Sequence, residues 1–156
     1  PPEPKLQKVA LAPVIEEAAT EGLAGRPGVA WSLEAPRDIK AVADPEHVHR
    51  IIANLVRNAA RAIADQPGRK QPGCIKARVR SDNACVRIEV SDNGPGLPAS
   101  MANRLFQPFA GSGSRDGSGL GLAIARELAR GMKGELELTS TSGDGAVFTL
   151  RVPAAD

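Results

Sequence analysis

Residues 44–68 read DPEHVHRIIANLVRNAARAIADQPG. Asp44-Pro45 is a helix start, with Asp as N-cap and Pro at the first helical position, where its missing N–H costs nothing. Val48, Ile51, Ile52, Leu55, Val56, Ala59 and Ile63 recur at three- and four-residue steps. At about 100° per residue they fill one arc of a helix that stops before Pro67-Gly68. Asn54 and Asn58 lie one turn apart on the rim of that arc, and Arg61 follows along the same edge. Asn is a poor mid-helix residue because its amide competes for the backbone. The pair reads in two ways. Either the amides contact neighbouring loops, or they serve a ligand. An amide oxygen is a hard donor suited to Mg²⁺, which keeps most of its waters and bridges phosphates, and Arg61 is placed to reach such phosphates.

Upstream, residues 6–11 form a short apolar stretch with the character of an edge strand. Pro13 suits a first helical turn, with Val14, Ile15, Ala18, Ala19 and Leu23 at helical spacing and Gly22 and Gly25 at the end. Residues 29–34 and 39–43 alternate as strands. Downstream, residues 74–80 and 84–91 read as a hairpin turning at Asp82-Asn83, in a register that sets residue 85 opposite about 80 and residue 74 opposite about 91. Cys74 and Cys85 are then not opposite each other, which argues against a disulfide. A short helix near 98–104, a long one over about 119–130, and strands at 134–140 and 146–152 around Gly143-Asp144-Gly145 complete the chain.

On the second hairpin strand Val86, Ile88 and Val90 share one face, and period two puts Asp92 on that face as well. An inward carboxylate needs a donor. Asp92 reads either as a turn residue capping the Gly-rich loop Asn93-Gly94-Pro95-Gly96 or as the receptor for an amine on a ligand between sheet and helix. Gly117-Ser118-Gly119-Leu120-Gly121-Leu122 opens the next long helix. Small residues there allow close backbone approach, and free N–H groups at a helix start favour an anion. The spacing is not a dinucleotide fingerprint, nor a P-loop, which would need Gly-Lys-Ser/Thr. Between Phe109 and Gly117 the run Ala-Gly-Ser-Gly-Ser-Arg-Asp reads as a lid, with Arg115 its one cation.

The chain has 156 residues, room for one ordinary domain. Apolar residues are 42% and charged residues 24%, enough to build a core. Twenty Lys and Arg against 18 Asp and Glu leave +2, which argues against a dedicated nucleic-acid binder. With no Tyr and one Trp, a base-stacking surface is not expected. No apolar run approaches the ~20 residues of a membrane helix, and two cysteines are too few for a disulfide framework or a zinc site. Residues 1–6, opening Pro1-Pro2-Glu3-Pro4, read as a linker remnant, 7–153 as the domain and 154–156 as a tail.

Asn-x-x-x-Asn-Ala at 54–59, Asp-x-Gly-x-Gly at 92–96, Phe-x-Pro-Phe at 106–109 and Gly-x-Gly-Leu-Gly-Leu at 117–122 occur in that order. The set resembles the ATP-binding catalytic domain of sensor histidine kinases, within the gyrase, Hsp90, histidine-kinase and MutL superfamily, over nearly the whole chain. The resemblance implies an α+β fold: a two-layer α/β sandwich (the Bergerat-type ATP-binding fold) with a mixed, mostly antiparallel sheet of about five strands and three helices on one face. It implies that Asn58 coordinates Mg²⁺, that Asn54 supports the phosphate side, that Arg61 contacts phosphate, and that Arg115 of the lid belongs to the ATP site. Asp92 would accept the adenine amino group, with Gly94, Gly96 and Leu97 passing close to the base. Phe106 and Phe109 would anchor the lid. Gly117, Ser118, Gly119, Leu120, Gly121 and Leu122 would hold the phosphates.

Gyrase-, Hsp90- and MutL-like ATPases resemble one another in carrying Glu one turn before the metal-binding Asn, as base for the attacking water. That position is Asn54 here, which favours a kinase over an ATPase. The implied cofactors are ATP and Mg²⁺. The implied partners are the dimerisation and His-phosphotransfer domain of the parent kinase and a response regulator downstream, with no nucleic acid and no direct membrane contact. The implied location is cytoplasmic, whether or not the parent is membrane-anchored. Two departures stand out. Gly145-Ala146-Val147-Phe148 lacks the Thr that many members carry at position 146, which would weaken nucleotide binding several-fold. Neither His47 nor His49 is followed by the acidic residue of an acceptor-histidine motif, so both read as solvent or rim residues. An anti-sigma-type serine kinase and a degenerate nucleotide- or partner-binding module of the same fold are the alternatives.

Overall fold

The computed structural model describes residues 3–107 and 121–155. Every apolar position of the arc named above is buried, from Val48, Ile51, Ile52 and Val56 at 0% exposure to Ala59 at 8%. Each such Ile, Leu or Val stabilises the fold by roughly 1.5–3 kcal/mol relative to exposure. Around this helix run β1 (Gln7–Ala10), α1 (Leu11–Gly22), β2 (Ala30–Glu34), β3 (Lys40–Ala43), α2 (Pro45–Ala64), β4 (Cys74–Asp82), β5 (Cys85–Asp92), α3 (Ala99–Ala102), α4 (Gly121–Gly131), β6 (Glu135–Ser142) and β7 (Gly145–Pro153). The five-stranded sheet has the order β2-β4-β5-β7-β6. Its β2–β4 pair is parallel and the others antiparallel. Helices α1, α2 and α4 form the second layer, α2 lying between the other two and against β4 and β5. The expected α/β sandwich is what the chain builds.

The outward face is charged. Arg80, Arg87 and Arg151 stand side by side across β4, β5 and β7, each paired with a carboxylate, Glu89, Asp82 and Glu137 respectively. Such exposed pairs keep the face wet more than they stabilise it.

The β4–β5 hairpin differs from expectation by two residues. Cys85 faces Asp82 and Ile75 faces Asp92, with Asn83 and Ala84 forming the turn. An even slip leaves every side chain on its expected face, so alternation alone does not detect it. The β6–β7 turn is likewise Gly143-Asp144, with Gly145 already paired to Ser142. Cys74 and Cys85 are free thiols. His47 is buried rather than on the rim. At three residues past the N-cap its ring folds back toward Asp44, with Nε2 3.7 Å from Oδ2. His49 is on the rim, 3.2 Å from Glu21.

α4 ends in a Schellman turn. Lys133 takes φ 65°, its N–H reaches the Arg130 carbonyl, and the Gly134 N–H reaches the Ala129 carbonyl. A separate two-stranded sheet pairs β1 with β3 antiparallel. Ala154 bridges Ala41 on β3, and Ala155 donates to the Lys40 carbonyl.

Asp44 joins these parts. Its Oδ1 accepts the N–H groups of Glu46 and His47, and its Oδ2 accepts that of Lys5 at 2.8 Å. Burial pushes its carboxyl up, but these backbone donors outweigh it and hold the group below the ordinary 3.8. Asp44→Ala should therefore cost about 1–2 kcal/mol in urea unfolding at pH 7. The wild type's advantage should persist down to the ordinary carboxylate value and vanish as pH falls through the lowered one. An unchanged unfolding midpoint at pH 7 would contradict the cap.

Candidate functional site

β5 ends on Asp92, and alternation with Val86, Ile88 and Val90 sends the carboxylate inward. It is half-buried, and it accepts the Gly94 N–H at 2.9 Å and the Ala146 N–H. Burial pushes this carboxyl above the ordinary aspartate range. The two N–H groups and the positive charge of Arg69 pull it part of the way back. β7 thus supplies a backbone donor at the position where the side-chain hydroxyl is missing.

Glycine is required where backbones meet here. Gly145 has φ 137°, and a Cβ on it would lie 1.9 Å from the Asp92 carbonyl oxygen. Gly96 has φ 73°, and its Cβ would lie 1.8 Å from the Ser142 carbonyl oxygen. A Cβ on Gly94 would stand 3.0 Å from Asp92 Oδ1 and 3.4 Å from Ile63. The floor beside the carboxylate is therefore bare backbone. Leu97, half-buried, is tied to the β6–β7 hairpin by its N–H, which donates to Thr141 Oγ1 at 2.7 Å.

Asn58 Nδ2 donates to Asn54 Oδ1 at 3.2 Å. That bond leaves the Asn58 oxygen unengaged among the described residues. Gly121, the first described residue of α4, lies so close that a Cβ would sit 2.3 Å from Asn54 Nδ2. Arg61 is half-buried one turn further along α2. From Asn54 to Ile63 is about 13 Å along the helix axis, at 1.5 Å per residue. The helix thereby connects the amide end of the site to the Asp92 end. Phe106 packs edge-on against Phe148, centroids 6.3 Å apart, and carries the Arg126 guanidinium 4.2 Å above its ring. Leu122 packs against the core. Phe109, Arg115, Gly117, Ser118, Gly119 and Leu120 lie outside the described residues.

Sequence reading missed Thr141, Gly145, Asn93 and Arg69. Asn93 bonds the Cys74 N–H and the Pro72 carbonyl, locking the end of β5 to the start of β4. Among the described residues no group of three His, Cys, Asp or Glu is placed to hold a metal. None of the helices there is long and apolar enough to cross a membrane.

A profile of the family described as histidine kinase-, DNA gyrase B- and HSP90-like ATPase matches residues 43–156, taking in the Asn pair, the Asp92 loop and Gly121. The chain belongs to that family. It is 41% identical over 111 residues to the sensor protein TorS of Escherichia coli strain K12, covering 70% of this chain and 11% of TorS. To the sensory histidine kinase/phosphatase NtrB of Klebsiella oxytoca it is 34% identical over 133 residues, covering 72% of this chain and 36% of NtrB. It thus spans between 11% and 36% of the length of these curated relatives. In fold it is similar to full-length ShkA in complex with AMPPNP, with a TM-score of 0.81 at 24% identity, covering 99% of this chain and 32% of that one. The nucleotide-free catalytic domain of histidine kinase ThkA gives 0.80 at 24%, covering 96% of each. The chain is an ATP-binding domain of the histidine-kinase kind, and neither alternative reading finds support.

Two outcomes follow from the geometry. Gly121→Ala places a methyl against the mobile tip of Asn54 rather than against backbone, so the Tm should change by less than about 2 °C. Nucleotide affinity should nevertheless fall, because the Asn54 amide must move; equal affinity by calorimetry would show that Asn54 has no part in binding. Asp92 binds its proton more tightly in the folded than in the unfolded state, so its charge costs stability above the ordinary 3.8 and not below. As pH is lowered from 7 past that value, the Tm difference between wild type and Asp92→Asn should move in the wild type's favour. A difference independent of pH would contradict the inward placement.

Proposed function

We propose that this domain presents Mg²⁺-ATP for phosphoryl transfer to a histidine on the dimerisation domain of its parent protein, which passes the phosphoryl group to a response regulator. The parent's catalytic part then works in the cytoplasm. The observation that carries the reading is the Asp92 carboxylate, held inward beside the bare backbone of Gly94. An acceptor-only group in that position suits the exocyclic amine of adenine, with Gly94, Gly96 and Leu97 along the base and Ile63 against its face. Toward the other end of α2, Asn54 and Arg61 serve the phosphates. By family resemblance the run from Gly117 to Leu122 is assigned to the phosphates, and Phe106, Phe109 and Arg115 to the lid.

The donor chemistry fits Mg²⁺. Asn58 spends its amide N–H on Asn54, and its oxygen is left for a hard cation. The ion when bound neutralises charge on the phosphates. The chain's own contribution is positioning: Asn58 orients the metal side, Asp92 fixes the base, and the phosphoryl group is aimed outward. Asn54 stands where hydrolysing members of the superfamily carry a general base, and an amide does not take a proton from water.

Asp92→Asn should lower ATP affinity by about 2 kcal/mol, roughly 30-fold. Asn58→Ala should weaken binding of ATP with Mg²⁺ more than without it. Equal losses would assign Asn58 to the scaffold alone. The isolated domain should hydrolyse ATP far slower than about one per second, and should label a dimerisation domain bearing an acceptor histidine when one is supplied. Steady turnover that disappears on Asn58→Ala would identify an ATPase instead.

A further inference from the structure

The loop between α2 and β4 holds a cation that the nucleotide reading does not use. Gln66-Pro67-Gly68-Arg69 is a tight turn in which Gly68 takes φ 68°. It swings Arg69 back over the loop and toward the end of β5. The Arg69 guanidinium donates to four oxygens. Nε reaches the Gln71 carbonyl at 3.1 Å, Nη1 reaches Gln66 Oε1 at 2.5 Å and the Asn93 carbonyl at 2.8 Å, and Nη2 reaches the Pro72 carbonyl at 3.4 Å. All four acceptors are neutral. Arg69 is half-buried, and its charge is held rigidly with no carboxylate among those partners.

Its placement bears on Asp92 twice. The Asn93 carbonyl belongs to the residue after Asp92, and Asn93 is itself tied to Cys74 and Pro72. Arg69 therefore closes a ring of hydrogen bonds joining loop 66–73 to the backbone that aims the carboxylate. Its charge also acts on Asp92 directly. The other elements packed there bring mostly neutral groups: Ile75 from β4, Ile63 from α2 and the Ala146 N–H from β7. The remaining charged residues near that end are Arg61 and Asp65 at the end of α2, Lys70 in the loop and Asp144 in the β6–β7 turn.

We propose that Arg69 is a positioning residue for the carboxylate that receives the adenine amine: it pins the Asn93 backbone and supplies a fixed positive charge beside Asp92. The inference rests on the adenine reading of Asp92. Loss of Arg69 loosens the aim of the carboxylate and removes a charge that favours its ionised form.

The test is to titrate the Asp92 carboxyl carbon by NMR without nucleotide in the wild type, Arg69→Gln and Arg69→Lys, and to measure ADP affinity of the same proteins at pH 7.5. Arg69→Gln should raise the Asp92 midpoint by about 0.5 pH or more, and Arg69→Lys, which keeps the charge, should return it to within about 0.2 pH of the wild type. ADP affinity should fall about fivefold in Arg69→Gln. A packing role alone would not move the titration. Equal midpoints in wild type and Arg69→Gln would overturn the proposal, as would unchanged ADP affinity in that variant. If Arg69→Gln does not fold, Arg69→Met takes its place: an Asp92 midpoint raised by about 0.5 pH or more supports the proposal and one equal to the wild type overturns it. Asp92→Asn is the control for the underlying reading. Should it bind ADP like the wild type, the adenine assignment fails, while the nucleotide-free titrations still report whether Arg69 acts on Asp92.

Discussion

The site depends on a contact between two backbones. Where β5 leaves the sheet, the Asp92 carbonyl passes so near Gly145 that a single Cβ would stand 1.9 Å away. That approach lets the Ala146 N–H reach the carboxylate of Asp92 from β7 while the Gly94 N–H reaches it from the loop beyond. A carboxyl turned toward an apolar layer is costly without donors. Here both donors are main-chain groups fixed by the sheet itself. The same hairpin holds the Gly-rich loop through Thr141 and Leu97. A side chain at 145 would therefore disturb the register of β6–β7, the aim of Asp92 and the path of the loop together.

The helical layer is the second support, and it has a direction. α2 meets the sheet loop at Ile63, carries the amide pair further up, and touches the start of α4 at Asn54. One rigid helix therefore sets the distance between the Asp92 end of the site and the amide end.

Much of this was legible in the sequence. Twenty residues of unbroken helical period identify α2 and its buried arc, because tertiary packing demands the same stripe that the sequence displays. Period two places Asp92 inward for the same reason. The hairpin register was not legible, since Asp82-Asn83 and Asn83-Ala84 serve equally as turns and an even slip costs no burial. Arg69, Thr141 and Gly145 were not legible either. Thr141 meets Leu97 from 44 residues away, and Arg69 meets Asn93 from 24. Neither has a local pattern that announces its partner. Gly145 looked like an ordinary hairpin glycine, and only the fold shows that it faces a carbonyl rather than solvent.

The small sheet at the other end of the domain has a mechanical meaning. β3 lies between β1 on one side and the Ala154 bridge on the other, so chain entering through β1 and chain leaving after β7 grip the same four-residue strand. Tension between the two ends would be carried in shear across that strand. The five-stranded sheet and the amide pair on α2 would stay unloaded until it gave way. A domain wired in this manner can be pulled, swung or held by its neighbours in a longer chain without its binding end registering the strain.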